Sequence, residues 1–226
     1  MNLLAHLHLA RPTAESRLGN ILPDLVRGRL PAALPPEVQA GVSNHRRVDA
    51  FTDTHPLFSR SRARLRPRHG IFSGLLVDVF YDHFLAARWS AYHALPLPRF
   101  IERVYGDLTD PATHPPPLRA AAERHDGTFM PARLAALADQ DWLGHYATLA
   151  GIERTLQRME RHLARRTGRA VALSPAVEDL ERHYDALGAD FAGFFPRLRR
   201  YIGHRETKEA GQPTEPVALP RTHAMP

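Results

Sequence analysis

Apolar residues recur at three- and four-residue spacing along most of the chain, and no stretch alternates apolar with polar. That period predicts helices throughout and an all-α fold. Residues 2–9 read as a short helix stopped by Pro12, with Leu3, Leu4 and Leu7 on its buried side and Asn2 and His6 on one face. Gly19 to Gly28 reads as a second helix, with Asn20 as N-cap, Pro23 in the first turn and Gly28 closing it. After the Pro-rich link 31–36, a longer helix runs over 37–54 and ends before Pro56. Residues 57–67 form an arginine-rich helix, most of whose arginines (Arg60, Arg62, Arg64, Arg66) read as a solvated face. Residues 71–89 are apolar nearly all round, so this helix must be central.

Further helices are expected over 99–108, from the Pro115–Pro117 run to about 125, over 130–138, over 142–166, and from the Ser174-Pro175 start onward. In the last of these, Leu180, Tyr184, Leu187, Phe191, Phe194, Phe195, Leu198 and Tyr201 form an aromatic stripe that reads as packing, kinked at Pro196. Beyond Arg205 the chain is polar and has no period, which predicts a disordered tail. The pattern therefore gives one helical domain over 1–204, of about eight to ten helices, and a tail over 205–226.

Two helical stretches carry polar residues that this pattern does not need. His45, Asp49 and Asp53 stand four apart, so an imidazole and two carboxylates share a face. Asp78 and Asp82 repeat the spacing with His83 beside them, inside the apolar helix, where unpaired carboxylates are costly. A cation is expected between them, either arginine partners or a divalent metal. His6 and Asp24 are further candidates, although His6 reads equally well as a satisfied core histidine and Asp24 as a helix-dipole partner. Carboxylates and imidazoles facing inward from several helices are how helical folds build metal sites for phosphoester hydrolysis. The literal His125-Asp126 doublet reads as a helix cap with a surface acid, because adjacent helical residues point about 100° apart.

Composition narrows the chemistry. There are no cysteines, which excludes disulfides, thiolate metal sites and a cysteine nucleophile. No glycine-rich phosphate loop or serine-nucleophile elbow is present. The formal net charge is +6, and of the 30 basic residues only Lys208 is lysine. A positive surface favours an acidic partner. The apolar N-terminus lacks a basic leader and a cleavage site, and no apolar run suggests a membrane span, so the expected compartment is the cytoplasm.

In its motifs the chain resembles the acyl carrier protein phosphodiesterases. The resemblance rests on Asn2-Leu-Leu-Ala-His-Leu-His-Leu-Ala10, Gly19-Asn-Ile-Leu-Pro-Asp-Leu-Val-Arg-Gly28 and His45-Arg-Arg-Val-Asp-Ala-Phe-Thr-Asp53. It continues in Asp78-Val-Phe-Tyr-Asp-His-Phe-Leu85, His183-Tyr-Asp-Ala-Leu187 and Phe195-Pro-Arg-Leu198, in the family's order and over roughly residues 1–200. It implies an all-helical fold distantly related to the His-Asp metal phosphohydrolases. It implies a divalent metal, manganese first, with magnesium or iron as alternatives. The implied reaction belongs to the carrier chemistry of fatty acid biosynthesis: 4′-phosphopantetheine is hydrolysed from the serine of holo acyl carrier protein, an acidic partner.

On this reading Asp24, His45, Asp49 and Asp78 are the expected metal ligands. His6, Asp82 and His83 are either ligands or the groups that orient them, with a protonated His6 or His83 giving a proton to the leaving serine, and Asp53 orients the water or a ligand. Arg46, Arg47, Arg62 and Arg66 are the arginines expected to meet the carrier, with a solvated pair the alternative for Arg46 and Arg47. Two rival readings stay open: a related metal phosphohydrolase acting on a nucleotide or alarmone, and a non-enzymatic basic helical module binding nucleic acid. The second lacks any recognised nucleic-acid motif.

Overall fold

The computed structural model describes residues 1–26, 30–31, 33–116 and 130–210. Among the described residues every regular element is helical. The helices are α1 (Leu3–His8), α2 (Ala14–Leu25), α3 (Pro36–Thr54), α4 (Pro56–His69), α5 (Ser73–Ala87), α6 (Leu97–Thr109), α7 (Met130–Asp139), α8 (Leu149–Thr167), α9 (Val177–Arg182) and α10 (Tyr184–Ala210). Short 3-10 turns link several of them, among them Gly70–Phe72 between α4 and α5 and Gly144–Ala147 before α8. The His125-Asp126 doublet, residues 117–125 of the helix expected after the proline run, and the Gly28 stop lie outside the described residues, as do residues 211–226.

Several boundaries differ from the periodicity, each for a local reason. α2 begins at Ala14, not at Asn20, because the Thr13 hydroxyl accepts the Ser16 N–H at 3.3 Å and caps it there. Asn20 is thus an interior, fully buried residue. α8 begins at Leu149 because Thr148 caps it by accepting the Gly151 N–H at 3.1 Å. Ser174–Ala176 forms a 3-10 turn, and the helix that follows breaks at His183 before α10 starts. α10 continues to Ala210, past the point where the apolar period fades.

The central place of α5 follows from its sequence: Leu76, Val77, Val79, Phe80, Tyr81, Phe84 and Leu85 have no exposed surface. α1, α4, α8 and α10 pack around it. The stripe on α10 is core, with Phe191, Phe194 and Phe195 all fully buried. The Pro56–Ala87 stretch contains a window apolar enough, by composition, to cross a membrane; in the fold most of it is buried, because α5 runs through the middle of the helical core.

The arginines of α4 do not all face solvent as the pattern suggests. Arg60 and Arg64, one turn apart, clasp the fully buried Asp190, which also accepts the Ser61 hydroxyl at 3.0 Å. Arg68 donates to Asp179 at 2.8 Å, and His69 stands 2.7 Å from the same carboxylate. These ion pairs fasten α4 to α9 and α10. Arg62 and Arg66 lie on the other side of the helix and are exposed.

Candidate metal centre

The site starts from a close helix crossing. α2 and α3 meet through Gly19 and Gly41. A Cβ at Gly19 would stand 2.9 Å from Gly41 Cα, and one at Gly41 would stand 2.6 Å from the Ser16 carbonyl. Only a residue without a side chain lets the two backbones come so near. The residues that follow each glycine then touch. Asn20 accepts the Asn44 amide at 2.9 Å and donates to the Ser16 carbonyl at 2.9 Å, while its own carbonyl accepts from His45 Nδ1 at 2.7 Å. A histidine whose Nδ1–H is committed to a carbonyl presents Nε2 as the free ligand atom.

α1 brings a second imidazole. Its N-terminus is held by Asn2, whose side chain accepts the Leu3 N–H at 2.8 Å, and by Asp82 from α5. The Asp82 carboxylate accepts the Leu4 N–H at 2.7 Å and the Ala5 N–H at 3.2 Å, taking two of the donors that a helix start leaves without partners. Burial, opposed by the Met1 ammonium and these two N–H bonds, pushes its pKa up to about 8. So anchored, α1 places His6, with no exposed surface, against His45: the rings stack at 4.0 Å with 19° between planes.

Asp49, one turn on from His45, closes the group. His6 Nε2 is 3.2 Å from Asp49 Oδ1 and His45 Nε2 is 3.1 Å from Asp49 Oδ2. Among the described residues His6 Nδ1 has no hydrogen-bond partner, and Nε2 faces only Asp49. The ligand atoms of His6, His45 and Asp49 lie within 4.8 Å of one another, and this is the one group of three or more such residues found among the described residues. The charges follow from the contacts. Burial lowers the His6 pKa to about 4. Burial also works to lower His45, but Asp49 and Asp24 raise it above its ordinary value. Burial opposes ionisation of Asp49, and the two histidines still hold it well below the usual carboxylate range.

The remaining candidates fall into two sets. Asp24 Oδ1 stands 4.0 Å from His45 Nε2, on the open side. Asp78 shares a cation with Asp49: the Met1 ammonium is 3.0 Å from Asp78 Oδ1 and 3.4 Å from Asp49 Oδ1. Asp53 is exposed one turn beyond Asp49, near enough to act on the charge of Asp78. Asp82 and His83 are turned away. Asp82 is taken up by α1, and the nitrogens of His83 lie 2.9 Å from the Tyr146 carbonyl and 3.0 Å from the Tyr184 hydroxyl. Adjacent residues on α5 diverge by about 100°, so the two cannot reach one centre. Gly41 and Tyr146, whose hydroxyl donates to Asn2 at 3.0 Å, have no role in the sequence pattern, and Asn20, expected there as a helix cap, orients His45 instead.

A direct test of these electrostatics is a histidine NMR titration of the metal-free protein. His45 is expected to take up its proton above the ordinary histidine range, while the stacked His6 stays neutral until about pH 4. Protonation of both rings together near 6.5, the unperturbed histidine value, would contradict the geometry.

Comparison with known proteins adds a family. Residues 1–198 match the family model described as "Acyl carrier protein phosphodiesterase". Proteins of the same name are similar along nearly their whole length. One from Yersinia pestis is 35% identical over 91% of this chain and 100% of its own. One from Photorhabdus laumondii is 37% identical over 88% of this chain and 93% of its own. One from Escherichia coli is 34% identical over 91% of this chain and 99% of its own. No solved structure matches the chain.

Proposed function

The chain belongs to the acyl carrier protein phosphodiesterase family, and from that premise we propose that it hydrolyses the phosphodiester between 4′-phosphopantetheine and the serine of holo acyl carrier protein. Water adds to phosphorus, the serine oxygen leaves with a proton, and apo carrier and free 4′-phosphopantetheine result. The observation that carries this reading is the stacked His6–His45 pair with both Nε2 atoms converging on Asp49. Two buried imidazoles whose Nε2 atoms face one carboxylate fit a divalent cation of the manganese, magnesium or iron kind.

His6, His45 and Asp49 would hold the cation, with Asp24 and Asp78 beside them. When bound, it supplies charge neutralisation at the phosphoryl oxygens and activation of water. The protein's own groups do the rest. Asn20 fixes the His45 tautomer through its carbonyl. Asp24, 43% exposed at its side chain and beside His45, is the base placed to take a proton from entering water. Both nitrogens of His83 face protein oxygens, the Tyr146 carbonyl and the Tyr184 hydroxyl, so His83 is better placed to support the fold than to give the leaving serine its proton.

Chelation is expected to abolish holo-to-apo conversion, and manganese to restore it better than calcium, which prefers a larger shell of oxygen ligands. Elemental analysis run beside the conversion assay checks this. Full turnover by enzyme shown to be metal-free would overturn the reading.

A further inference from the structure

The arginines of α4 sort into two sets by contact. Arg60, Arg64 and Arg68 are spent on Asp190 and Asp179. Arg62 and Arg66, also one turn apart, have no ion pair among the described residues and are exposed. Arg62 lies across α5 at Gly74, its Nε 3.5 Å from where a Cβ would stand. Gly74 and Asp78 are four apart on one face of α5, so Arg62 sits roughly 6 Å along the helix axis from the carboxylate that borders the metal centre. At the end of this strip is Ile71, 90% exposed, the one exposed large apolar side chain among the described residues. Phe72 and Leu75 beside it are only partly buried. The left-handed Gly70, at φ 51°, turns the chain so that Ile71 projects from the α4–α5 corner.

We propose that this corner, Arg62 and Arg66 flanking Ile71, is the surface on which the acidic acyl carrier protein docks to present its modified serine. The inference rests on the function proposed above and adds the place and mode of partner binding. The chemistry of the substrate demands such a place: the scissile bond is at the carrier's own serine, so the carrier's surface must come up to the mouth of the metal centre. Unpaired guanidinium groups complement carboxylates on the carrier, and an exposed aliphatic side chain gives the contact an apolar anchor. The other arginines of the helix are held instead by carboxylates of the fold, Arg60 and Arg64 by Asp190 and Arg68 by Asp179.

Steady-state kinetics of the metal-loaded enzyme on holo carrier test the assignment, with Arg62→Glu/Arg66→Glu together, Ile71→Ser alone, and Arg103→Glu on α6 as a charge control. Because the arginines are unpaired and Ile71 is exposed, thermal melting should match wild type. The double reversal is expected to raise KM about tenfold or more with kcat within about twofold, since encounter weakens and the bound chemistry does not. Ile71→Ser should raise KM several-fold, and Arg103→Glu should leave it unchanged. Rising salt should lower wild-type kcat/KM much more than kcat, and the double variant should respond less, because surface charges are screened beyond roughly 8 Å at physiological salt. An unchanged KM in the double variant would overturn the docking surface, and so would an equal rise with Arg103→Glu. Wild-type enzyme that leaves holo carrier intact would instead overturn the function proposed above.

Discussion

Alanine in place of His45 is expected to remove bound metal and to lower turnover of holo carrier by about a thousandfold or more, with the helical content retained. A thousandfold corresponds to about 4 kcal/mol of transition-state stabilisation, the scale that a metal acting on a phosphoryl group supplies. His45 is buried and stacks on His6, so the substitution also costs some packing, but its polar contacts, the Asn20 carbonyl, Asp49 and Asp24, all lie within the site, and circular dichroism separates loss of metal from loss of fold. Its Nε2 is nevertheless the only ligand atom in the group whose tautomer is set by a hydrogen bond to the main chain. Asp78→Asn is the graded companion. It keeps shape and removes one charge from the neighbourhood of Asp49, and should weaken metal retention by about 10–100-fold, as loss of an outer partner does. Metal content, circular dichroism and the conversion assay measured on the same samples decide the matter. Near-wild-type turnover in both variants would sink the metal-centre assignment.

The second large effect is expected at Asp82 and is first an effect on stability. Asp82→Ala leaves the N–H groups of Leu4 and Ala5 buried without an acceptor, at a cost of about 2–4 kcal/mol. For a domain of this size that corresponds to a fall in Tm of roughly 5–15 °C. α1 is short and carries His6, so loosening its start also weakens metal retention. Asp82→Asn keeps one acceptor and should recover part of both losses. The comparison separates two roles. A stability loss with partial rescue marks Asp82 as the anchor of α1. Turnover lost at unchanged Tm would make it a participant in the chemistry, the role its sequence position next to His83 suggests.

The difference between those roles shows how far the sequence reaches. The helical period is a local property, so the elements of the core, the central α5 and the aromatic stripe of α10 were legible from spacing alone. The His45–Asp49 pair was legible for the same reason, because residues four apart share a helix face wherever the helix goes. Where a helix started was less legible: the pattern opened α2 at Asn20, while the Thr13 cap opened it at Ala14 and left Asn20 free to bind His45.

What a face meets is another matter, since it depends on packing between segments remote in the chain. His6 and His45 were joined only by the docking of α1, and that docking was held by Asp82, 78 positions from Leu4. Asp78 and Asp82 looked alike in sequence, yet a rise of roughly 6 Å along α5 sends one toward the metal centre and the other to the start of α1. The four-residue rule cannot distinguish them. In the same way the arginines of α4 form one basic run in the sequence, and only the positions of Asp179 and Asp190 decide which bind the core and which stay exposed. The sequence by itself determined the helices and the stock of ligating side chains. The tertiary structure, through the Gly19–Gly41 crossing and the anchoring of α1, decided which three converge, because convergence requires backbone approaches that no local spacing encodes.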